Sequence, residues 1–345
     1  MLTVVAPRRS VEVASVLGLA WVVILAATGC SSATGTAASG TSAPAPPVTA
    51  GTAAPSTAAP STAAASTTTT LVDPRTLAGH HLGPIPDDEI VLCPDAAAVP
   101  MAGDPVTVAG FDDRPTVLQR AADPASPLVV VFHGQHGCIQ NVQSRSDLDV
   151  IGTAAGVHVL WLSGQALPTR SWNVNGRCCE PASDRDVDEL PYVEAAMAAV
   201  RAMGLTSTTV LAAGVSNGGG MAVTAACRLP QLFTGVVVIA GWVPVTCRPA
   251  PQSLLVFGGS LDENLGSRRA AQVATLWRTD VAECPSEPIV HSEGPRVVTT
   301  WLGCAGGALV RLVQLEGVPH VWPKFDFYDI DDEIILLALG RFSAG

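Results

Sequence analysis

Six apolar, largely β-branched runs constrain this chain more than any other feature. They are "PLVVVFHG" (Pro127–Gly134), "VHVLWLSG" (Val157–Gly164), "TTVLAAG" (Thr208–Gly214), "GVVVIAG" (Gly235–Gly241), "SLLVFGG" (Ser253–Gly259) and "LVRLVQLEG" (Leu309–Gly317). Most lack polar alternation, which is the pattern of strands buried on both faces. Helical segments fall between them. In "DVDELPYVEAAMAAVRAMG", Leu190, Val193, Met197 and Val200 share one face. Asp188 can cap that helix, Pro191 lies in its first turn and Gly204 stops it. "LGSRRAAQVATLWR" and "DIDDEIILLALGRF" also read as helices. Strands alternating with helices predict an α/β domain with a mainly parallel central sheet flanked by helices.

The first part of the 345-residue chain has a different character. Residues 1–29 read as a signal peptide: Arg8 and Arg9 are followed by an uncharged apolar run, Val13–Thr28, shorter than an ordinary membrane span. Small residues in "LAATGC" lead to Cys30, the lipobox pattern in which the cysteine is lipidated; an ordinary signal peptide is the alternative. Residues 30–71, nearly all Ser, Thr, Ala, Pro and Gly, predict a disordered tether open to O-glycosylation. The catalytic domain is expected over 72–345. The net charge of −11 with no Lys/Arg cluster argues against nucleic acid or an anionic membrane surface as partner. Nine cysteines in an exported chain predict disulfides rather than metal or redox motifs, since no Cys-x-x-Cys pair occurs.

The run Thr208–Gly214 passes into Gly214-Val215-Ser216-Asn217-Gly218, two more glycines and an alanine-rich segment. Strand, Gly-x-Ser-x-Gly, then helix is the nucleophile-elbow arrangement. The turn lifts the Ser216 hydroxyl above the sheet, and side chains at 214 and 218 would collide with neighbouring elements. A serine needs a base, and the base needs an acid to orient it. The expected chain order is Ser, acid, His, each beyond a strand end. Asp262 follows "SLLVFGG" directly, with Glu263 and Asn264 as local alternatives. His320 follows "LVRLVQLEG"; the other histidine after Ser216, His291, sits in a polar stretch. The oxyanion donors are expected from the amides of Asn217 and of Gln135, in the loop "HGQHGC". His133 and His136 share that loop but lack further ligands at metal-binding spacing. Trp172 and Trp322 are candidate walls of a substrate pocket, as is Trp242.

With these residues in view, the domain resembles polyhydroxybutyrate depolymerase-like and feruloyl-esterase-like enzymes (carbohydrate esterase family 1), including LpqC-type lipoprotein esterases. The similarity covers Pro127 to Phe342 and is carried by "SWNVNGRCCEPASDRDVDELPYV", "GVSNGGGMA", "GGSLDENL", "WLGC" and "VPHVWPK". It implies an α/β-hydrolase fold, the triad Ser216, Asp262 and His320, and ester hydrolysis without a cofactor. It also implies pairing of Cys227 with Cys247 and of Cys284 with Cys304. Cys93, Cys138, Cys178 and Cys179 stay unassigned, with the adjacent Cys178 and Cys179 expected to bond to different partners. Two departures from the family pattern stand out: Gly258-Gly259-Ser260 before the acid, and Val318-Pro319 before the histidine.

These features predict an exported, monomeric serine esterase, lipid-anchored on the outer face of the cell membrane or extracellular. Its substrates would be short acyl, feruloyl or acetyl polysaccharide esters, or hydroxyalkanoate oligomers. The alternatives are a serine peptidase of the same fold and a catalytically idle, surface-tethered binding lipoprotein.

Overall fold

In the computed structural model, residues 73–77, 83–85, 90–93, 99–165, 169–176, 178–246, 248, 250–285 and 287–342 are described. The chain divides into two units, Met1–Thr67 and Thr68–Gly345, and every described residue belongs to the second. The expected signal peptide, the lipidation site Cys30 and the tether lie outside the described residues, as does Cys247.

The elements in chain order are β1 (Asp104–Pro105), β2 (Thr116–Gln119), β3 (Leu128–Phe132), α1 (Ile139–Gln143), α2 (Leu148–Ala154), β4 (His158–Leu162), α3 (Leu190–Ala202), β5 (Val210–Val215), α4 (Asn217–Arg228) and β6 (Gly235–Ile239). They continue with β7 (Ser253–Gly259), α5 (Ser267–Asp280), β8 (Ile289–Glu293), β9 (Arg296–Trp301), β10 (Val310–Leu315), β11 (Lys324–Phe325), β12 (Tyr328–Asp329) and α6 (Ile330–Ala338). All six apolar runs form strands. They lie side by side as β4-β3-β5-β6-β7-β10, every adjacent pair parallel. Antiparallel β2 and β1 extend one edge, and β9 and β8 the other, so the described residues form a ten-stranded sheet.

Side chains alternate across this sheet, and each face buries its own core. Val130 and Phe132 of β3 point to the face covered by α3, α4 and α5, where Val193, Met197, Met221, Val273 and Trp277 are buried. Val129 and Val131 point to the other, against Ile139, Leu148, Ile151, Ile334 and Ile335 of α1, α2 and α6. Helices on both faces are what makes the runs uniformly apolar. Helix α3 begins at Leu190, and the Asp188 carboxylate accepts from the Leu190 amide at 3.3 Å. Gly204, at φ 96°, lies just beyond its C-terminal cap.

Cys284 is bonded to Cys304, as the resemblance implies, and Cys93 to Cys138. Cys227 is itself disulfide-bonded. Cys178 and Cys179 are bonded to each other, which corrects the expectation of separate partners. The physical reason is that Cys93, Cys138, Cys284 and Cys304 are committed to bonds with one another. The turn at Asn175–Gly176, with φ of 61° and 68°, then folds Cys178 back against Val174.

Candidate active site

Ser216 stands between β5 and α4 with φ 57° and ψ −122°, a conformation that costs a non-glycine residue about 1–3 kcal/mol. The surroundings over-determine it. Its amide donates to the Ile239 carbonyl at 2.8 Å, and its carbonyl accepts from the Gly220 amide at 3.1 Å. A Cβ on Gly214 would overlap the Gly218 carbonyl, and one on Gly218 would overlap the carbonyl oxygens of Phe132 and His133. The glycines therefore let α4 start directly against the ends of β3 and β5, as a sharp elbow requires.

Asp262 follows β7 and His320 follows β10, the strand paired with β7, so both sit at the same end of the sheet as Ser216. The Asp262 Oδ2 lies 2.6 Å from the His320 Nδ1. Its Oδ1 accepts from the Asn264 and Leu265 amides at 3.1 and 2.9 Å. Burial pushes the Asp262 carboxyl up. The Leu265 amide, the His320 ring and the Asn264 amide outweigh it and hold the group below the usual carboxylate range. Asp262 is thus a buried, ionised acceptor, while the His320 side chain stays 41% exposed. Glu263, the alternative acid, is exposed, and Asn264 is engaged through its amide.

The loops carrying the pair are fastened together. The Leu261 amide donates to the Val318 carbonyl at 2.9 Å, and the Gly317 amide to the Ser260 hydroxyl at 2.9 Å. A Cβ on Gly259 would overlap the Val318 carbonyl. The Gly259 and Val318 positions, both departures noted from sequence, are therefore one tight interface.

Beyond His320 the loop is anchored in a buried charge cluster that the sequence did not reveal. Lys324 Nζ contacts Asp329, lies 2.9 Å from Asp147 Oδ2 and 3.7 Å from Asp331 Oδ2. The Asp331 carboxylate also accepts from the Asp147 amide at 2.8 Å and from the Trp322 indole at 3.0 Å. Burial lowers the Lys324 ammonium, but Asp331 and Asp329 outweigh it and raise it; burial and the Asp329 charge push Asp331 well up. The acidic run at the start of α6 was the available signal, though such a run ordinarily faces solvent at a helix N-terminus.

On the other side of the elbow lies the loop after β3. A Cβ on Gly134 would sit 3.6 Å from the Ser216 Cβ and 3.5 Å from the Val215 carbonyl oxygen. His133 is fully buried, and burial is the main cause that lowers its imidazole to about 4, with Arg170 adding to it against the Gly134 carbonyl bond. Its Nε2 accepts from the Gly164 amide at 3.0 Å, so the proton resides on Nδ1, which donates to the Gly134 carbonyl at 2.7 Å. The Gly137 amide donates to that same carbonyl at 3.0 Å. His136 is exposed, with Nδ1 2.8 Å from the Thr169 hydroxyl. Gln135 is half-buried and its side chain donates to the Glu180 carbonyl at 3.2 Å. Asn217 is the first residue of α4, whose leading amides have no partner within the helix.

Two of the tryptophans expected near the site are buried. Trp172 is 0% exposed and packs its ring against Phe132, His133 and Tyr192. Trp322 is 5% exposed, in the core under α6. Both indole N–H groups are bonded, that of Trp172 to the His133 carbonyl and that of Trp322 to Asp331. Trp242, beyond the end of β6, is half-buried and packs its ring against α4, where a Cβ at Gly220 would meet it at 3.2 Å. His291 is on the exposed edge strand β8, 3.8 Å from Glu293.

The strand order, with helices on both faces of a mainly parallel sheet, is that of the α/β-hydrolase fold. The acetyl xylan esterase from Aspergillus awamori superposes with a TM-score of 0.54 at 15% identity, over 70% of this chain and 100% of that one. At that identity the likeness establishes the fold. In sequence, the chain is 33% identical over 121 residues to "Putative esterase NocK" of Nocardia uniformis subsp. tsuyamanensis. That match covers 34% of this chain, and the chain spans about a third of the length of that relative. No family model matches the chain.

Proposed function

We propose that this protein is a serine esterase acting on carboxylic esters. Ser216 attacks the ester carbonyl while His320 accepts its proton and later returns it to the leaving alcohol. Asp262 holds the imidazole in the tautomer with its proton on Nδ1 and favours the imidazolium that forms. The amides of Asn217 and Gln135 receive the oxyanion, and water releases the acyl-enzyme. The single observation that carries the reading is the 2.6 Å contact of His320 Nδ1 with an ionised, amide-held Asp262, at the sheet end where Ser216 occupies its elbow. The partial likeness to NocK agrees with ester chemistry.

Within that class the reading places the chain nearest the polyhydroxybutyrate depolymerase-like and feruloyl-esterase-like enzymes. The substrates are short acyl esters, acetyl or feruloyl esters of polysaccharide, or hydroxyalkanoate oligomers. The protein acts outside the cytoplasm as a monomer, held to the membrane through a lipid on Cys30. The test is release of p-nitrophenol from short acyl esters by the wild type beside Ser216→Ala. Turnover in the wild type and background in the variant are expected. Turnover that survives the substitution would remove Ser216 from the nucleophile's role, and activity on peptides alone would favour a peptidase.

A further inference from the structure

The segment between β4 and α3 passes across both parts of the proposed oxyanion site, and Trp172 is where it touches them. The Trp172 amide donates to Asn217 Oδ1 at 2.8 Å, and Asn217 Nδ2 donates back to the Trp172 carbonyl at 3.0 Å. The Asn217 side chain thus grips one residue's main chain as a neighbouring strand would. The Trp172 indole N–H donates to the His133 carbonyl at 2.8 Å. One buried residue is therefore bonded to the residue after Ser216 and to the residue that opens the loop of Gln135.

The bond to His133 does more than hold the loop in place. A trans peptide is planar, with its C=O and N–H on opposite sides, so fixing the oxygen fixes where the hydrogen points. The His133 carbonyl is held by the Trp172 indole, and the next carbonyl, Gly134, by His133 Nδ1 and the Gly137 amide. Two successive peptide planes are pinned, and the second carries the Gln135 N–H. The segment is itself anchored: Cys179 N donates to the Trp172 carbonyl at 2.9 Å, and Asn173 N to Glu189 Oε1 at 3.0 Å, with Glu189 paired to Arg114 at 2.5 Å.

We propose that Trp172 is a positioning residue for the esterase reaction, holding the Gln135 and Asn217 amides in register with each other. The inference rests on the esterase reading above. Donors placed before the charge develops are what an oxyanion site supplies, and a donor that must reorient supplies less.

The test is Trp172→Phe in the full chain, which keeps an aromatic ring but removes the indole N–H. Its control is Trp277→Phe, because Trp277 is equally buried and its indole donates to the Gln252 carbonyl at 2.9 Å, away from the site. On p-nitrophenyl butyrate, Trp172→Phe is expected to lower kcat about ten-fold with KM changed less than about two-fold, short of the ~10²–10³-fold loss of deleting a donor. Binding of butylboronic acid, which forms a tetrahedral adduct with the serine, should weaken in step with kcat/KM. Trp277→Phe should lower Tm comparably and leave kcat within about two-fold of wild type. If Trp172→Phe does not fold, Asn217→Ala, which keeps the amide and removes the grip on Trp172, is read by the same ratios. Unchanged kcat and boronate binding in the folded variant, or an equal kcat loss in Trp277→Phe, would overturn the inference alone. Absence of Ser216-dependent turnover in the wild type would remove the esterase reading, and this inference with it.

Discussion

His133 gives the structure a measurable weakness toward acid. Its imidazole is fully buried, both ring nitrogens are bonded to main chain, and burial lowers its pKa from 6.5 to about 4. Between those values the folded protein keeps His133 neutral while the unfolded chain protonates it. The contribution is therefore complete above pH 6.5 and is lost as pH falls toward about 4. A shift of this size corresponds to about 3 kcal/mol, with a limiting slope of ~1.4 kcal/mol per pH unit. Other groups titrate in the same window, so the informative quantity is a difference. His133→Asn has no proton to gain, and all remaining groups are shared with the wild type. Urea unfolding followed by tryptophan fluorescence from pH 7.5 to 3.5 gives both stability curves, and equal m-values justify subtracting them. Whatever the variant costs at pH 7.5, the wild-type advantage should shrink by about 3 kcal/mol across the range. A difference that stays constant to within about 0.5 kcal/mol would refute the assignment of a neutral, Nδ1-protonated His133.

Two further outcomes follow from packing and charge. Lys324→Met leaves Asp147, Asp329 and Asp331 without their shared cation in a buried site; it should cost about 3–5 kcal/mol, read as a fall in Tm of about 10 °C. Gly218→Ala drives a methyl into two carbonyl oxygens of the backbone, which cannot step aside as a side chain would. It should destabilise the protein by about 3 kcal/mol and abolish ester turnover, measured by thermal unfolding and p-nitrophenol release.

The parallel core of the sheet was legible because burial on both faces leaves a periodicity-free apolar run, and each of the six such runs became a strand. The flanking strands were not. β2, "TVLQ", is buried at all four residues but is short and half polar, and β8, "IVHSE", is exposed along its whole length, so neither reads as an apolar run. The elbow could be read because its constraint is local: two glycines and a serine within five residues. Asp262 and His320 could be placed at neighbouring strand ends for the same reason. The tryptophans could not, since what surrounds Trp172 comes from residues 39 and 45 positions away. The same holds for Lys324, whose partner Asp147 lies on α2's N-terminal cap, far back in the chain.

The order of the strands also sets how the site is lost. β5, which leads to Ser216, lies in the middle of the ten, with β3 and β6 hydrogen-bonded on either side and helices over both faces. Amide hydrogens in such a strand exchange with solvent only when the whole domain opens, whereas those of the peripheral β8 can exchange through local fraying. The elbow thus shares the slowest-opening unit of the molecule, and its geometry persists until the entire cooperative structure gives way.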